Sequence, residues 1–240
     1  MPSSTLNTQT QASARLGRAA GFGYLAMAVT GGFWFGAMQA FRGGGDAALL
    51  AHLRDSRFVF QLSIVSGAAQ FVAYLVTAVL LYRRFSPKAP VAAGLLLAFV
   101  VASVPVSLMA VARQMELLPL LDAPGLDAPG QVALILRDFD TLVQLSSLFW
   151  GLWLFPLAWF AFREGGRSRL VGVVVTLGGL GYMVGFFKPV LLAGVALQPL
   201  AQHALLAFGV ATVLSEFVAI LWLLIASDRA PKAQGAAASP

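Results

Sequence analysis

One carboxylate in this chain stands apart from the others. Glu216 lies in the middle of the otherwise uncharged stretch Ala204 to Ala226. A carboxylate held at the centre of a bilayer costs several kcal/mol if ionised, and it is usually paired or functional. Counted inward from one end, Glu216 is about 12 residues into its stretch. Gln70 is about 12 into the stretch Phe58 to Tyr82, and Tyr182 about 12 into Leu170 to Leu192, counted from the other end. At 1.5 Å per residue all three stand roughly 18 Å from either surface. If their faces converge, Gln70 and Tyr182 are the side chains able to donate hydrogen bonds to Glu216. Two readings stay open: a protonated glutamic acid that joins helices, and a site for a ligand, an ion or a proton.

Other chemistry finds little support in the residue types. The chain has no cysteine, which removes disulfides, iron–sulfur clusters and thiol catalysis together. His52 and His203 form no HExxH or HxxxH pair, so no metal or haem site is expected. There is no phosphate-binding loop, no GxSxG, and no dinucleotide fingerprint after a strand. Catalytic residues and cofactors are therefore expected to be none. Ser66, Ser215 and Glu216 are the sole ingredients of an intramembrane lipid-acting enzyme, and no motif joins them.

The elements that must position these residues follow from composition. With 59% hydrophobic and 11% charged residues and a mean hydropathy of +0.81, 240 residues carry too little polar surface to cover a soluble globule. A bilayer core of about 30 Å needs roughly 20 apolar residues, and six uncharged runs approach or exceed that length. They are 19–41, 58–82, 91–112, 141–162, 170–192 and 204–226, where Lys188 and Glu216 are the two ionisable exceptions. The sequence thus predicts an all-α, polytopic transmembrane bundle of six spans. One such domain over 19–226 would lie between a mobile leader, 1–18, and a mobile tail, 227–240. The first run exceeds the roughly 7 to 15 residues of a signal-peptide core, so it is read as a retained helix.

Orientation follows from the basic residues. With a cytoplasmic amino terminus the inner segments hold ten: Arg15, Arg18, Arg83, Arg84, Lys88, Arg163, Arg167, Arg169, Arg229 and Lys232. The outer side holds six: Arg42, Arg54, Arg57, Arg113, Arg137 and Lys188. The excess places both termini in the cytoplasm. The formal charge of +6 is dispersed between apolar runs, which argues against nucleic acid as a partner. Thirteen arginines against three lysines, with abundant Ala and Gly, suggest a GC-rich bacterial genome and hence an inner-membrane location.

Shorter signals refine the picture. Residues 45–57 read as an amphipathic helix at the outer interface, through Ala47, Leu49, Leu50 and Leu53. APGLDAPG at 123–130 gives two Pro-Gly turns, Leu117 to Leu121 dips into the interface, and Val132 to Phe139 leads helically into the fourth span. Pro105 and Pro156 should kink their spans, and 178–181 is the one candidate for a broken helix. Lys188 should anchor its span by snorkelling. Glycines in the first, second and fifth spans, including the pair Gly181 and Gly185, favour close packing within the chain, with a homo-oligomer interface as the alternative.

The segments ARLGRAAGFGYLAMAVTGG (14–32), GGDAALLAHLRDSRFVFQL (44–62), FREGGRSRLVGVVVTLGGLGYMVGF (162–186) and LSEFVAILWLLIAS (214–227) resemble a bacterial family of six-span membrane proteins, the domain of unknown function 4386 family. The resemblance covers nearly the whole chain. It implies charged residues in the second and third spans and a histidine at the start of the fourth. This chain instead has Ser63, Ser66 and Gln70, then Ser103 and Ser107, then Asp138 and Asp140. No activity comes with the resemblance.

The function read from the sequence is a membrane protein, not an enzyme, binding or passing a small apolar or cationic molecule or a proton around Glu216, with the lipid bilayer as its standing partner. A structural or regulatory module without a ligand is one alternative, and an intramembrane lipid-acting enzyme is the other. Reporter fusions after Gly44 and Gln198 are expected to report an external location, and those after Ser86 and Ser227 a cytoplasmic one. An external carboxyl terminus would overturn the orientation.

Overall fold

The computed structural model describes residues 3–42, 46–122, 128–191 and 199–225, and every regular element among them is helical. In chain order these are α1 (Ser3–Phe41), α2 (Asp46–Asp55), α3 (Arg57–Phe85), α4 (Pro90–Met115), α5 (Leu117–Asp122), α6 (Ala128–Leu152), α7 (Leu154–Glu164), α8 (Ser168–Leu191) and α9 (Pro199–Ile225). Five stretches are long and apolar enough to cross a membrane: Arg57–Phe85, Pro90–Asp122, Ala128–Glu164, Ser168–Val190 and Leu205–Ile225. Helix α1 has ample length, 39 residues, but Gly, Thr, Tyr and Gln dilute its apolar content. The tail after Asp228 and most of the Pro-Gly turn region fall outside the described residues.

Several boundaries differ from the run lengths, for local reasons. Ser3 to Arg18, expected as a separate leader, continue into α1 as one helix. No proline interrupts them, and their Ala, Gln, Leu and Arg are adequate helix formers. The lead-in to the fourth span belongs to α6, which starts at Ala128, and that span then divides at Trp153 into α6 and α7. Pro156 has no N–H to give the Leu152 carbonyl, and the neighbouring Leu157 N–H to Trp153 O bond is stretched to 3.4 Å. Pro105 sits within an unbroken α4, and α8 runs through Gly178 and Gly181 without a break.

The bundle turns its apolar side chains outward as well as inward. Leu170, Val173, Leu177 and Leu180 on α8, and Val210, Val213, Phe217 and Leu221 on α9, are exposed. Such a surface suits lipid, where the interior is not marked by greater hydrophobicity and small residues set the contacts. Helix pairs α1–α3, α8–α9, α4–α6 and α7–α8 form the main contacts. On α8 the small residues face neighbours: a Cβ on Gly178 would stand 1.8 Å from Ser215 Oγ of α9, and one on Gly181 2.1 Å from Thr212 Oγ1. Gly185, its partner in the expected pair, has open space around it. The α7–α8 turn is made by Gly165 and Gly166, both at positive φ (73° and 55°), where glycine alone is free of Cβ strain.

Charged side chains collect at the two ends. Arg42 pairs with Asp140 at 2.9 Å, Arg57 with Asp122, and Arg113 with Asp138 at 3.3 Å, joining α1, α3, α4, α5 and α6 at one end. Arg84 pairs with Glu164 at 3.0 Å, joining α3 and α7 at the other. The short helix α2 buries Leu49, Leu50 and Leu53 against the first of these ends, and its amphipathic pattern is the one expected of 45–57. Lys188 is exposed in the last turn of α8.

The α8–α9 contact gives a direct test. Gly178→Ala is expected to destabilise the purified protein by about 1–3 kcal/mol, the usual cost of overpacking. Ser215→Gly in the same chain should recover most of that loss, read as thermal midpoints in detergent. Simple addition of the two effects would show that this contact does not set the helix separation.

Candidate functional site

Glu216 stands in the middle of the 21-residue stretch Leu205–Ile225. It faces a cavity of about 250 Å³ bordered by α1, α3, α6, α8, α9 and the Trp153 junction. Gln70 and Tyr182 line the same cavity, so the three residues matched by depth alone do share one space. Their bonding differs from the simplest expectation. Tyr182 donates its hydroxyl to Glu216 Oε1 at 2.8 Å, tying α8 to α9. Gln70 does not bond to Glu216: its amide group lies against Gly31 of α1, where a Cβ would come within 2.7 Å of Gln70 Cδ. Gln70 Oε1 is buried with no hydrogen-bond partner.

Two tyrosines that depth counting passed over complete the polar set. Tyr74 lines the cavity one helical turn after Gln70, on the same face of α3. Its hydroxyl is buried and unpartnered. The Tyr24 hydroxyl, from α1, approaches the Glu216 carboxyl without reaching normal hydrogen-bond geometry. The i, i+4 spacing of Gln70 and Tyr74 was a usable sequence signal. For Tyr24 there was none, because it is only about six residues into the run 19–41, short of the depth counted for the other three.

Aromatic rings make up much of the rest. Trp150 lies in the last turn of α6 and Trp153 at the α6–α7 break, and both line the cavity. Trp150 meets Tyr182 edge to face at 6.0 Å and Phe35 at 5.9 Å. Trp153 meets Tyr74 at 5.0 Å and Tyr24 at 5.1 Å. All but the Tyr24 contact, which is tilted at 55°, are edge to face, and such contacts hold the rings in fixed orientations. The cavity is thus an aromatic chamber lined by one carboxyl, one amide and two tyrosine hydroxyls, with the Tyr24 hydroxyl close to the carboxyl. None of the described residues lining it is basic.

The remaining candidates are placed elsewhere. Ser215 Oγ donates to Thr212 O at 2.7 Å within its own helix, and Ser66 Oγ to Thr30 O at 2.9 Å. Neither hydroxyl is bonded to Glu216, so the ingredients of the enzyme reading are not assembled. Among the described residues no group of three His, Cys, Asp or Glu side chains comes together. His52 lies with its Nδ1 3.4 Å from Phe41 O, and His203 is exposed on α9.

The comparisons bear on the whole chain. The family model described as a domain of unknown function (DUF4386) matches residues 19–226. No curated protein and no solved structure matches.

The bond network makes a measurable distinction. Tyr182→Phe and Glu216→Leu are each expected to cost about 0.6–2 kcal/mol, the scale of an interhelical hydrogen bond in a membrane. Combined, they should be markedly non-additive, since both remove the same bond. Gln70→Leu should add independently to Glu216→Leu. Coupling between Gln70 and Glu216 in place of Tyr182 and Glu216 would contradict this arrangement.

Proposed function

The chain belongs to the DUF4386 family, and from that premise we propose that it is a six-span membrane protein that binds a small molecule or a proton at the mid-depth chamber around Glu216. In this reading α1 is the sixth membrane-crossing helix, and both termini are cytoplasmic, in a bacterial inner membrane. The end-to-end separation of charged side chains supports that arrangement. Helix α1 packs along α3 over much of its length, and Arg42 at its far end joins the same charged band as Arg57 and Arg113.

One observation carries the binding reading. A carboxyl at mid-depth has one hydrogen-bond donor, Tyr182, while Gln70 Oε1 and the Tyr74 hydroxyl beside it are buried without partners. Buried polar groups are normally satisfied, and each one left alone costs about 1–3 kcal/mol. A chamber that holds such groups around open volume is built for a polar guest. The second reading, a purely structural carboxyl, is favoured by the Tyr182 bond itself, since it joins α8 to α9.

A single variant separates the two. Glu216→Gln is nearly isosteric and can still accept from Tyr182, so the thermal midpoint of the purified protein should stay within a few degrees of wild type. Under the binding reading it should lose the stabilisation that a panel of small apolar and cationic compounds gives the wild type. A ligand at 100 times its Kd stabilises by about 2.7 kcal/mol through mass action. A large fall in the ligand-free midpoint, with any stabilisation by the panel preserved, would favour the structural reading.

A further inference from the structure

Resting on the binding reading above, we propose that the guest of the chamber is a lipophilic amine carrying one positive charge, taken up sideways from the bilayer through a gap between α1 and α9. The walls specify the charge. Glu216 supplies the only carboxyl group among the described lining residues, and no basic side chain among them neutralises it. An anion would be repelled by Glu216, and a bare proton has no use for ordered rings. An ammonium group meets what is present: a carboxylate, the amide side chain of Gln70 on the same wall, and the aromatic rings of Trp150, Trp153 and Tyr74. Cations bind aromatic faces through the ring quadrupole, most strongly when desolvated.

The route follows from which lining residues are exposed. Val213 and Phe217 bracket Glu216 on α9, line the chamber and are 56% and 54% exposed on the outside of the bundle. Gly32 of α1 lines it as well, is exposed, and has nothing within 4 Å of where a Cβ would stand. The two helices touch lower down, where Gly21 meets Leu224 at 2.8 Å from its notional Cβ. They leave the chamber open on its side at mid-depth, where the outer surface is apolar and faces lipid. At about 250 Å³ the chamber is smaller than the roughly 300 Å³ at which ligand pockets begin. It therefore takes the amine head and a ring, and the rest of the apolar tail remains in the gap.

The test uses the purified full chain in lipid nanodiscs with 4-phenylbutylamine and its neutral counterpart 4-phenylbutanol, read by tryptophan emission and thermal midpoint. Wild type should bind the amine at least tenfold more tightly than the alcohol. Glu216→Gln should remove that preference. Gly32→Leu, whose side chain enters open space, should weaken amine binding at least tenfold without lowering the ligand-free midpoint. Equal binding of amine and alcohol in wild type, unchanged in Glu216→Gln, overturns the amine and leaves the chamber as a site for neutral guests. Amine binding untouched by Gly32→Leu overturns the lateral route. If neither probe binds wild type and Glu216→Gln behaves identically, the amine and the binding reading fall together.

Discussion

A helix bundle that exposes leucine, valine and phenylalanine to lipid has no water at its flank to satisfy polar groups, so its polar side chains have to find partners within. That constraint organises this protein. Serines and threonines mostly return their hydroxyls to their own helices, as Thr77 does to Ala73 O at 2.7 Å and Ser146 to Leu142 O at 2.8 Å. A few bridge helices: Gln144 donates to Phe186 O at 2.8 Å across α6 and α8, and Trp34 donates its indole N–H to Gln114 Oε1 across α1 and α4. Among the described residues, Gln114 Nε2 and two Arg42 nitrogens are left unpartnered elsewhere, while the Tyr24 hydroxyl, Gln70 Oε1 and the Tyr74 hydroxyl gather around Glu216. Their concentration in one place, among small residues and rings that leave volume between them, distinguishes the chamber from the rest of the interior.

The packing that makes this possible is asymmetric. Between α8 and α9 the glycines bring backbones into contact, and the Tyr182 to Glu216 bond spans a short gap. On the α1 side the core is aromatic. Trp34 is fully buried and meets Phe71 at 5.4 Å and Phe139 at 5.6 Å, both edge to face. Gly67 gives Trp34 the room to lie there, since a Cβ would come within 2.8 Å of its Nε1. One side of the bundle is held by close backbones and the other by interlocked rings, and the chamber lies where these two modes meet.

Much of this was visible in the residues. Run lengths gave the membrane class and five of the crossing stretches, because hydrocarbon imposes a length that few other environments impose. Depth counting brought Glu216, Gln70 and Tyr182 to one level, and they share a cavity. It could not assign their bonds, since rotation about each helix axis depends on tertiary packing; hence Tyr182, not Gln70, is the donor. Gln114 was passed over because it lies beyond the uncharged run 91–112, although α4 continues to Met115 and buries it. Arg57, Asp122, Arg84 and Glu164 were readable as end charges, but their pairing across helices was not, because partners 65 and 80 positions apart meet only once the bundle has closed.

The interruption at Trp153 has a mechanical meaning. An unbroken helix resists bending because flexure strains a continuous ladder of hydrogen bonds. Here the ladder already lacks the rung that Pro156 cannot supply, and the next is long at 3.4 Å. Stiffness in this wall is therefore lowest from Leu152 to Leu157, at and just past the chamber-lining Trp153, while the Phe85 to Phe160 stack, 3.9 Å between centroids, clamps α7 to α3 further along. Elastic compliance in the α6–α7 wall is thus concentrated at one joint, and flexure there would change the girth of the chamber.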